Sequence, residues 1–172
     1  MLFGVGFYAG PGLLRNRIAI PIQDAQGRLV AYCGRSLDGS EPRYKFPPGF
    51  AKAHVLYNFH RAADGDSPGV IVVEGFFDCL KVQQAGFGSV VALMGAAFSA
   101  AQRQLLTSRF QHVTVMLDGD EAGRRASAQI ADRLASVCSV RVIALGDGVQ
   151  PDQLSAEVIC RILAEKGGSD RE

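Results

Sequence analysis

The sequence predicts an α/β fold, a Rossmann-like parallel sheet flanked by helices and preceded by a small β-rich basic lobe. Three observations predict it. From residue 70 onward, short β-branched runs alternate with helical stretches, and crossovers of that length imply parallel strands with helices on both faces. Before residue 64 the apolar runs are short and are separated by turn and proline-rich segments. Charge divides at the same place. Residues 1–63 hold eight Lys/Arg against three Asp/Glu and residues 64–172 hold ten against fourteen, so a lobe of +5 precedes a body of −4 under a net charge of +1. A basic part beside an acidic part suits a polyanion on one side and cations on the other.

A chain of 172 residues is one domain, or one domain with an attached lobe. It can bury about 70% of its unfolded surface without a disulfide or metal staple. With 48% hydrophobic and 20% charged residues, the composition is that of a soluble globule and excludes a disordered tail. Four cysteines, at 33, 79, 138 and 160, form no C-x-x-C, which excludes a zinc ribbon and fits a reducing cytoplasm. Residues 82–102 carry no charge, but Gly86, Gly88, Gly95, three glutamines and two serines interrupt them, so no membrane span is expected. No basic n-region precedes the first apolar residues, so no secretory signal is expected.

Within the lobe, the runs 18–22 and 29–33 flank the turn Asp24-Ala25-Gln26-Gly27 and predict a hairpin. Pro21 in the first run predicts an edge strand. Pro42, Pro47, Pro48 and Gly49 predict a loop over 39–52, and 64–69 reads as a linker. In the body, strands are predicted at 70–73, 90–93, 113–117 and 140–145. Helices are predicted at 76–85, from the capping box Ser99-x-x-Gln102 to about 110, at about 120–136 with an Ala122, Ala126, Ile130 and Leu134 stripe, and at 154–165.

In such sheets, sites form at the carboxyl ends of the strands. The first body strand ends at Glu74, the third at Asp118, and the loop after the fourth holds Asp147 and Asp152. Asp78, one turn into its helix, falls on the same face as Glu74. Clustered carboxylates repel unless protonated or bridged by a cation. Oxygen donors without Cys or His favour Mg2+ or Mn2+, and a pair of such ions suits phosphoryl or nucleotidyl transfer. A plainer role is open to several of these acids. Asp78, Asp120 and Glu121 occupy first turns of helices, where the macrodipole favours them, and Asp152 could cap the last helix. Glu74 and Asp118 end buried strands and have no such local compensation.

Other patterns fail their context. Gly4-Val5-Gly6-Phe7-Tyr8-Ala9 matches a dinucleotide fingerprint, but Pro11-Gly12 blocks the helix that it needs. Asp118-x-Asp120-x-x-Gly123 has Gln129 where a calcium loop needs Glu, and a strand before it in place of a helix. The same Asp-x-Asp follows the third strand, whereas haloacid-dehalogenase-type phosphatases carry theirs after the first. His54, His60 and His112 have no ligand spacing.

Glu74-Gly75 at one strand end and Asp118-x-Asp120 at a later one resemble the Toprim domain of primases, topoisomerases, small nucleases and recombination proteins. The lobe selects among them. Arg15-Asn16-Arg17-Ile18, Pro21-Ile22-x-Asp24, Gly27-Arg28, Gly34-Arg35, Pro42-Arg43-Tyr44-Lys45 and Lys52-x-x-x-Leu56-Tyr57-Asn58 resemble the catalytic core of bacterial DnaG-type primases. With Gly148-x-x-Pro151-Asp152 the similarity spans about 3–155, and a primase-like Toprim protein of a mobile element shares it.

The resemblance implies residues 1–66 as part of the core's N-terminal lobe, 67–150 as the Toprim domain and 151–172 as a C-terminal helix and tail. It implies Glu74, Asp118 and Asp120 as catalytic acids and Glu74, Asp78, Asp118, Asp120 and Asp152 as ligands of Mg2+ or Mn2+. Gln150 stands where the family has the first acid of a late pair. Arg15, Arg17, Arg43, Tyr44, Lys45 and Lys52 are implied to contact template and nucleotide, with His54 nearby, and Tyr44 or Phe46 could stack a base. The expected activity is synthesis of short RNA primers on a single-stranded DNA template from nucleoside triphosphates, in the cytoplasm. A metal-dependent Toprim nuclease and an inactive single-strand-binding remnant are the alternatives. A topoisomerase is disfavoured, since no strand-passage domain is present. The zinc module and helicase-binding domain of bacterial primases have no counterpart in the sequence. A replicative helicase or a separate zinc module is the further partner that the resemblance implies, and the chain is read as a fragment, a truncated protein or one component of an assembly.

Overall fold

The structure is a computed structural model and describes residues 3–164. The lobe is an antiparallel sheet whose strands lie in chain order: β1 (Gly6–Tyr8), β2 (Arg17–Gln23), β3 (Leu29–Ser36) and β4 (Tyr44–Lys45). β2 and β3 form the expected hairpin. The Asp24 carboxylate accepts the backbone N–H groups of Gln26 and Arg28, both at 3.0 Å, which closes the turn locally. β2 is not the edge strand that Pro21 predicts, because it runs between β1 and β3. Proline is tolerated there because Pro21 lies past the last β1–β2 pair, Gly6 with Ala19.

A 3-10 turn at Lys52–His54 and α1 (Phe59–Asp64) lead into the body. The sequence reading placed no helix at 59–64. At six residues, α1 is too short to display a repeating apolar stripe. The body follows as β5 (Gly69–Val73), α2 (Phe76–Gln84), β6 (Val90–Ala92), α3 (Ala100–Arg109), β7 (His112–Val115), α4 (Glu121–Leu134), β8 (Ser139–Val142) and α5 (Ala156–Ala164). The sheet order is β6-β5-β7-β8 and every pair is parallel. The Ser99 capping box is formed as expected: the Ser99 hydroxyl accepts the Gln102 N–H at 3.0 Å, and the Gln102 side chain accepts the Ser99 N–H at 3.1 Å. The last helix begins at Ala156, later than predicted, and Ser155 takes the cap by accepting the Val158 N–H at 3.3 Å. Asp152 instead lies in a 3-10 turn at Pro151–Gln153. The end of that helix at 165 and the tail lie outside the described residues.

Burial of both faces explains the unbroken β-branched runs. Val70 and Val72 of β5 pack with Leu106, Ile130 and Leu134 beneath α3 and α4. Ile71 and Val73 pack with Phe76, Cys79, Val82 and Ile159 beneath α2 and α5. Ile20, Ile22, Cys33 and Tyr57 join this second group, so lobe and sheet share one core. The Leu56-Tyr57-Asn58 segment is the seam between them. Tyr57 bridges Ala92 at the β6 edge. Asn58 is fully buried in a left-handed conformation (φ 66°), and its amide donates to the Val90 carbonyl at 2.9 Å. Phe59 and Ala62 of α1 lie in the core on the α3–α4 side, so α1 packs with the body although it precedes residue 66. Among the described residues no helix is long and apolar enough to cross a membrane.

Candidate active site

β5 leads to β6 on one side and β7 leads to β8 on the other. The crevice beyond the carboxyl ends of β5 and β7 is therefore the topological switch point, where α/β sheets bind ligands. Glu74 directly follows β5, and Asp118 lies three residues past Val115, the partner of Val72. Glu74, Asp78, Asp118 and Asp152 line one cavity of about 80 Å3, together with Gln150, Arg35 and Arg43. The structure thus brings together four of the five acids implied as metal ligands. Asp120 does not line the cavity. It is exposed and caps α4, accepting the Gly123 N–H at 2.7 Å, though its charge still reaches Glu74 and Asp118.

Asp78 is buried in the first turn of α2. One of its oxygens accepts the Gly75 N–H at 2.8 Å and the other the Asp152 N–H at 3.0 Å. It therefore ties the 3-10 turn to the end of β5. Burial pushes its carboxyl up to about 7, against the Gly75 N–H, which favours the charged form. Asp118 and Asp152 add repulsion. Burial also raises Glu74, helped by the charges of Asp118 and Asp120, with Lys52 opposing. Burial raises Asp118 as well. The Gln150 hydrogen bond opposes that shift, Asp120 and Asp152 add to it, and the Arg43 charge works against it. Three half-buried or buried acids, each disfavoured in its charged form, make a basin that an added cation would stabilise.

Gln150 donates its side-chain amide to Asp118 Oδ2, while Asp118 Oδ1 is buried with no hydrogen-bond partner. A buried carboxylate oxygen left unpaired is costly, and a divalent cation is a fitting partner for it. Among the described residues no three Asp, Glu, His or Cys side chains stand close enough to form a ready-made metal cage.

Backbone packing fixes the Asp118 loop. A Cβ at Gly119 would lie 2.0 Å from the Gly146 carbonyl oxygen, and one at Gly123 would lie 2.1 Å from the Asp118 carbonyl oxygen. No side chain fits at either place, so α4 and the loop after β8 close directly on the acid. Arg124 braces the same loop by donating to the Gly119 carbonyl at 2.7 Å and to Asp147 at 2.8 Å.

The basic residues separate into different environments. Arg43 is exposed and lines the acid cavity. Lys52 stands over the Phe46 ring at 5.7 Å and donates to the Met94 carbonyl at 3.3 Å, beside Glu74. Tyr44 accepts from Arg35 at 2.6 Å and packs its ring on Phe76. Lys45 follows it in β4 and turns to the other sheet face. Arg15 and His54 are exposed and do not line the acid cavity. Arg17 is buried. Its guanidinium donates to the Gly34, Pro42 and Arg43 carbonyls and to Ser40 Oγ, so its charge organises the lobe from inside and is not offered to a ligand. Sequence reasoning missed Arg35, which stacks on Tyr44 and Phe77 at 5.2 and 4.9 Å and lines the acid cavity. Its place in the Gly34-Arg35 pair was the available signal. The Gln150–Asp118 hydrogen bond spans 32 residues, and only the place of Gln150 in the late pair pointed to it.

Residues 11–63 match the family model for the DNA primase catalytic core, N-terminal domain, and residues 71–155 match the Toprim-like model. The DNA primase of Staphylococcus epidermidis is 38% identical over 144 residues, and that of Staphylococcus aureus (strain COL) is 37% identical over 145. The chain belongs to the DnaG-type primase family. The primase of Aquifex aeolicus (zinc-binding and RNA polymerase domains) superposes on this primase-family chain with a TM-score of 0.81 at 30% identity, covering 91% of this chain and 42% of that one. A DnaG primase catalytic domain bound to ssDNA superposes with a TM-score of 0.79 at 28% identity, covering 92% of this chain and 55% of that one. The alignments to the staphylococcal primases cover 80% and 81% of this chain, which spans 24% of the length of those curated relatives. Toprim and primase relatives imply a dependence on divalent metal ions in general terms.

Proposed function

We propose that this primase-family chain takes part in template-directed synthesis of short RNA primers on single-stranded DNA from nucleoside triphosphates. The observation that carries this reading is the shared cavity in which Glu74, Asp78, Asp118 and Asp152 face Arg35 and Arg43. Acids for a cation and arginines for phosphate meet in one place. In this reading residues 1–66 are part of the core's N-terminal lobe, 67–150 the Toprim domain, and 151–172 the closing helix and tail.

Asp118 and Asp152 would hold Mg2+ or Mn2+, with Asp78 fixing the Asp152 turn and Asp120 adding negative charge from the α4 cap. All-oxygen donors favour these ions. When bound, such an ion neutralises triphosphate charge and stabilises the oxyanions of the transition state. Arg35 and Arg43 bind the triphosphate and orient it. Lys52 holds negative charge at the cavity's lobe side. Glu74, which lines the same cavity, accepts the proton of the attacking 3′-hydroxyl. That oxygen then bonds to the α-phosphorus as the bond to pyrophosphate breaks. Arg15 and Arg43 draw in the template phosphates, and binding weakens steeply with salt. A relative of this fold is known bound to ssDNA, which supports a single-strand template here. A replicative helicase and a separate zinc module are the proposed further partners.

The test has two readouts. Crystals soaked in Mn2+ should give an anomalous peak beside Asp118 that Asp118→Asn removes. Labelled oligoribonucleotides should form on single-stranded DNA with the wild type and not with Asp118→Asn. No peak, or equal product from both proteins, overturns the assignment. Labelled DNA or RNA cut by the chain with metal but without triphosphates would assign a nuclease in its place.

A further inference from the structure

Gln150 enters the acid cavity as a neutral side chain among four carboxylates. Its place is fixed by the backbone around it. The preceding residue, Val149, accepts the Gly119 N–H at 2.8 Å, and the Gln150 N–H donates to Gln153 Oε1 at 2.9 Å. The 3-10 turn that follows is tied to Asp78 through the Asp152 N–H at 3.0 Å. The Gln150 amide is thus held against Asp118 and donates to its Oδ2. The reverse orientation would set the amide oxygen against a carboxylate, and that repulsion keeps the hydrogens turned to Asp118.

The carboxylate oxygens of the cavity are unequally engaged. Both oxygens of Asp78 accept backbone N–H groups, from Gly75 at 2.8 Å and from Asp152 at 3.0 Å. Asp118 Oδ2 accepts the Gln150 amide, whereas Oδ1 is buried without a partner. Two ions about 4 Å apart with Asp118 between them would need a cation on each side of that carboxylate. On the Oδ2 side stand the amide hydrogens, the positive end of a dipole, which repel a cation. On the Oδ1 side nothing opposes one. Charge points the same way. With every carboxylate ionised, the four acids and two arginines that line the cavity carry two net negative charges, which one divalent ion cancels. We propose that Gln150 is a positioning residue that limits the acid cavity to a single resident divalent ion, seated at Asp118 Oδ1. This rests on the metal-binding reading above and adds how many ions the cavity keeps and which side chain sets the number. A carboxylate at position 150 replaces the amide hydrogens with a negative oxygen and adds a further charge, so it makes room for a second ion.

The ions are counted on the full chain with Mn2+ alone, by calorimetry, and their separation is read by electron paramagnetic resonance. The wild type, Asp118→Asn, Gln150→Glu and Gln150→Asp are compared, with folding followed by circular dichroism. The wild type should bind one Mn2+ that Asp118→Asn removes, with the sharp hyperfine spectrum of an isolated ion. Both acid variants should bind one more, with a spectrum broadened by coupling between ions about 4 Å apart. Two coupled ions in the wild type overturn the proposal, as does a single uncoupled ion in an acid variant that folds. If neither acid variant folds, the wild-type count still decides. Mn2+ bound equally by the wild type and Asp118→Asn, or by neither, means that the metal reading itself fails, a result distinct from the others.

Discussion

The side-chain amide of Gln150 donates to one oxygen of Asp118 and leaves the other buried without a partner. A neutral group therefore compensates half of the central carboxylate. Replacing it with an isosteric acid, Gln150→Glu, puts two carboxylates in contact. Stability without metal should fall by about 1 kcal/mol, and Mn2+ affinity should rise several-fold. Thermal unfolding with and without Mn2+ checks both, and an unchanged metal-free Tm would contradict the geometry.

The acid cavity should also set the pH dependence of stability. Asp78 has its carboxyl raised from 3.8 to about 7, and Glu74 and Asp118 are raised as well. Between those values the folded chain binds more protons than the unfolded chain, so stability contributed by protonation is complete below about 4 and is lost as pH rises towards 7. Each pH unit across that window removes at most about 1.4 kcal/mol per group. Denaturant midpoints of the metal-free protein should therefore fall from pH 4.5 to 7. Asp78→Asn should flatten that slope, and a slope equal to the wild type's would contradict the role assigned to Asp78.

Gly123→Ala should be far more damaging than an alanine at an ordinary helix position. Its Cβ would meet the Asp118 carbonyl oxygen at 2.1 Å, so α4 must shift away from the acid. A loss of about 2 kcal/mol or more is expected, with weaker Mn2+ binding in whatever remains folded. Urea unfolding and a Mn2+ titration read the two effects.

Two arginines of the lobe should behave oppositely. Arg17→Met leaves buried carbonyls without their donor, and stability should drop by about 2–4 kcal/mol. The salt dependence of single-strand binding should stay as it was. Arg43→Ala removes an exposed cation at the acid cavity. Stability should change by less than about 0.5 kcal/mol, while the salt slope of DNA binding should fall by about one. Fluorescence anisotropy with labelled single-stranded DNA over a salt series separates them.

Part of this architecture is legible in the amino-acid sequence. The β-branched run 70–73 is buried on both faces, as its lack of alternation implied, and Ser99 caps α3 as its spacing to Gln102 implied. Glu74 and Asp118 fall at the ends of adjacent parallel strands. Other features were not legible. α1 is too short for a period, and Pro21 sits in an interior strand because β1 ends before reaching it. Arg17 and Arg43 look alike in sequence, yet one is buried and the other exposed.

By itself the sequence determined the alternation of elements, the division of charge and the acids that end the strands. These follow from local periodicity and from the cost of burying an unpaired carboxylate, both written in neighbouring residues. Only the tertiary structure decided which acids share a cavity, that Asp78 fastens the Asp152 turn, that Gln150 covers one side of Asp118, and that Arg17 supports while Arg43 faces outward. Each of those depends on contacts between segments far apart in the chain, which strand order and core packing bring together and no local pattern encodes.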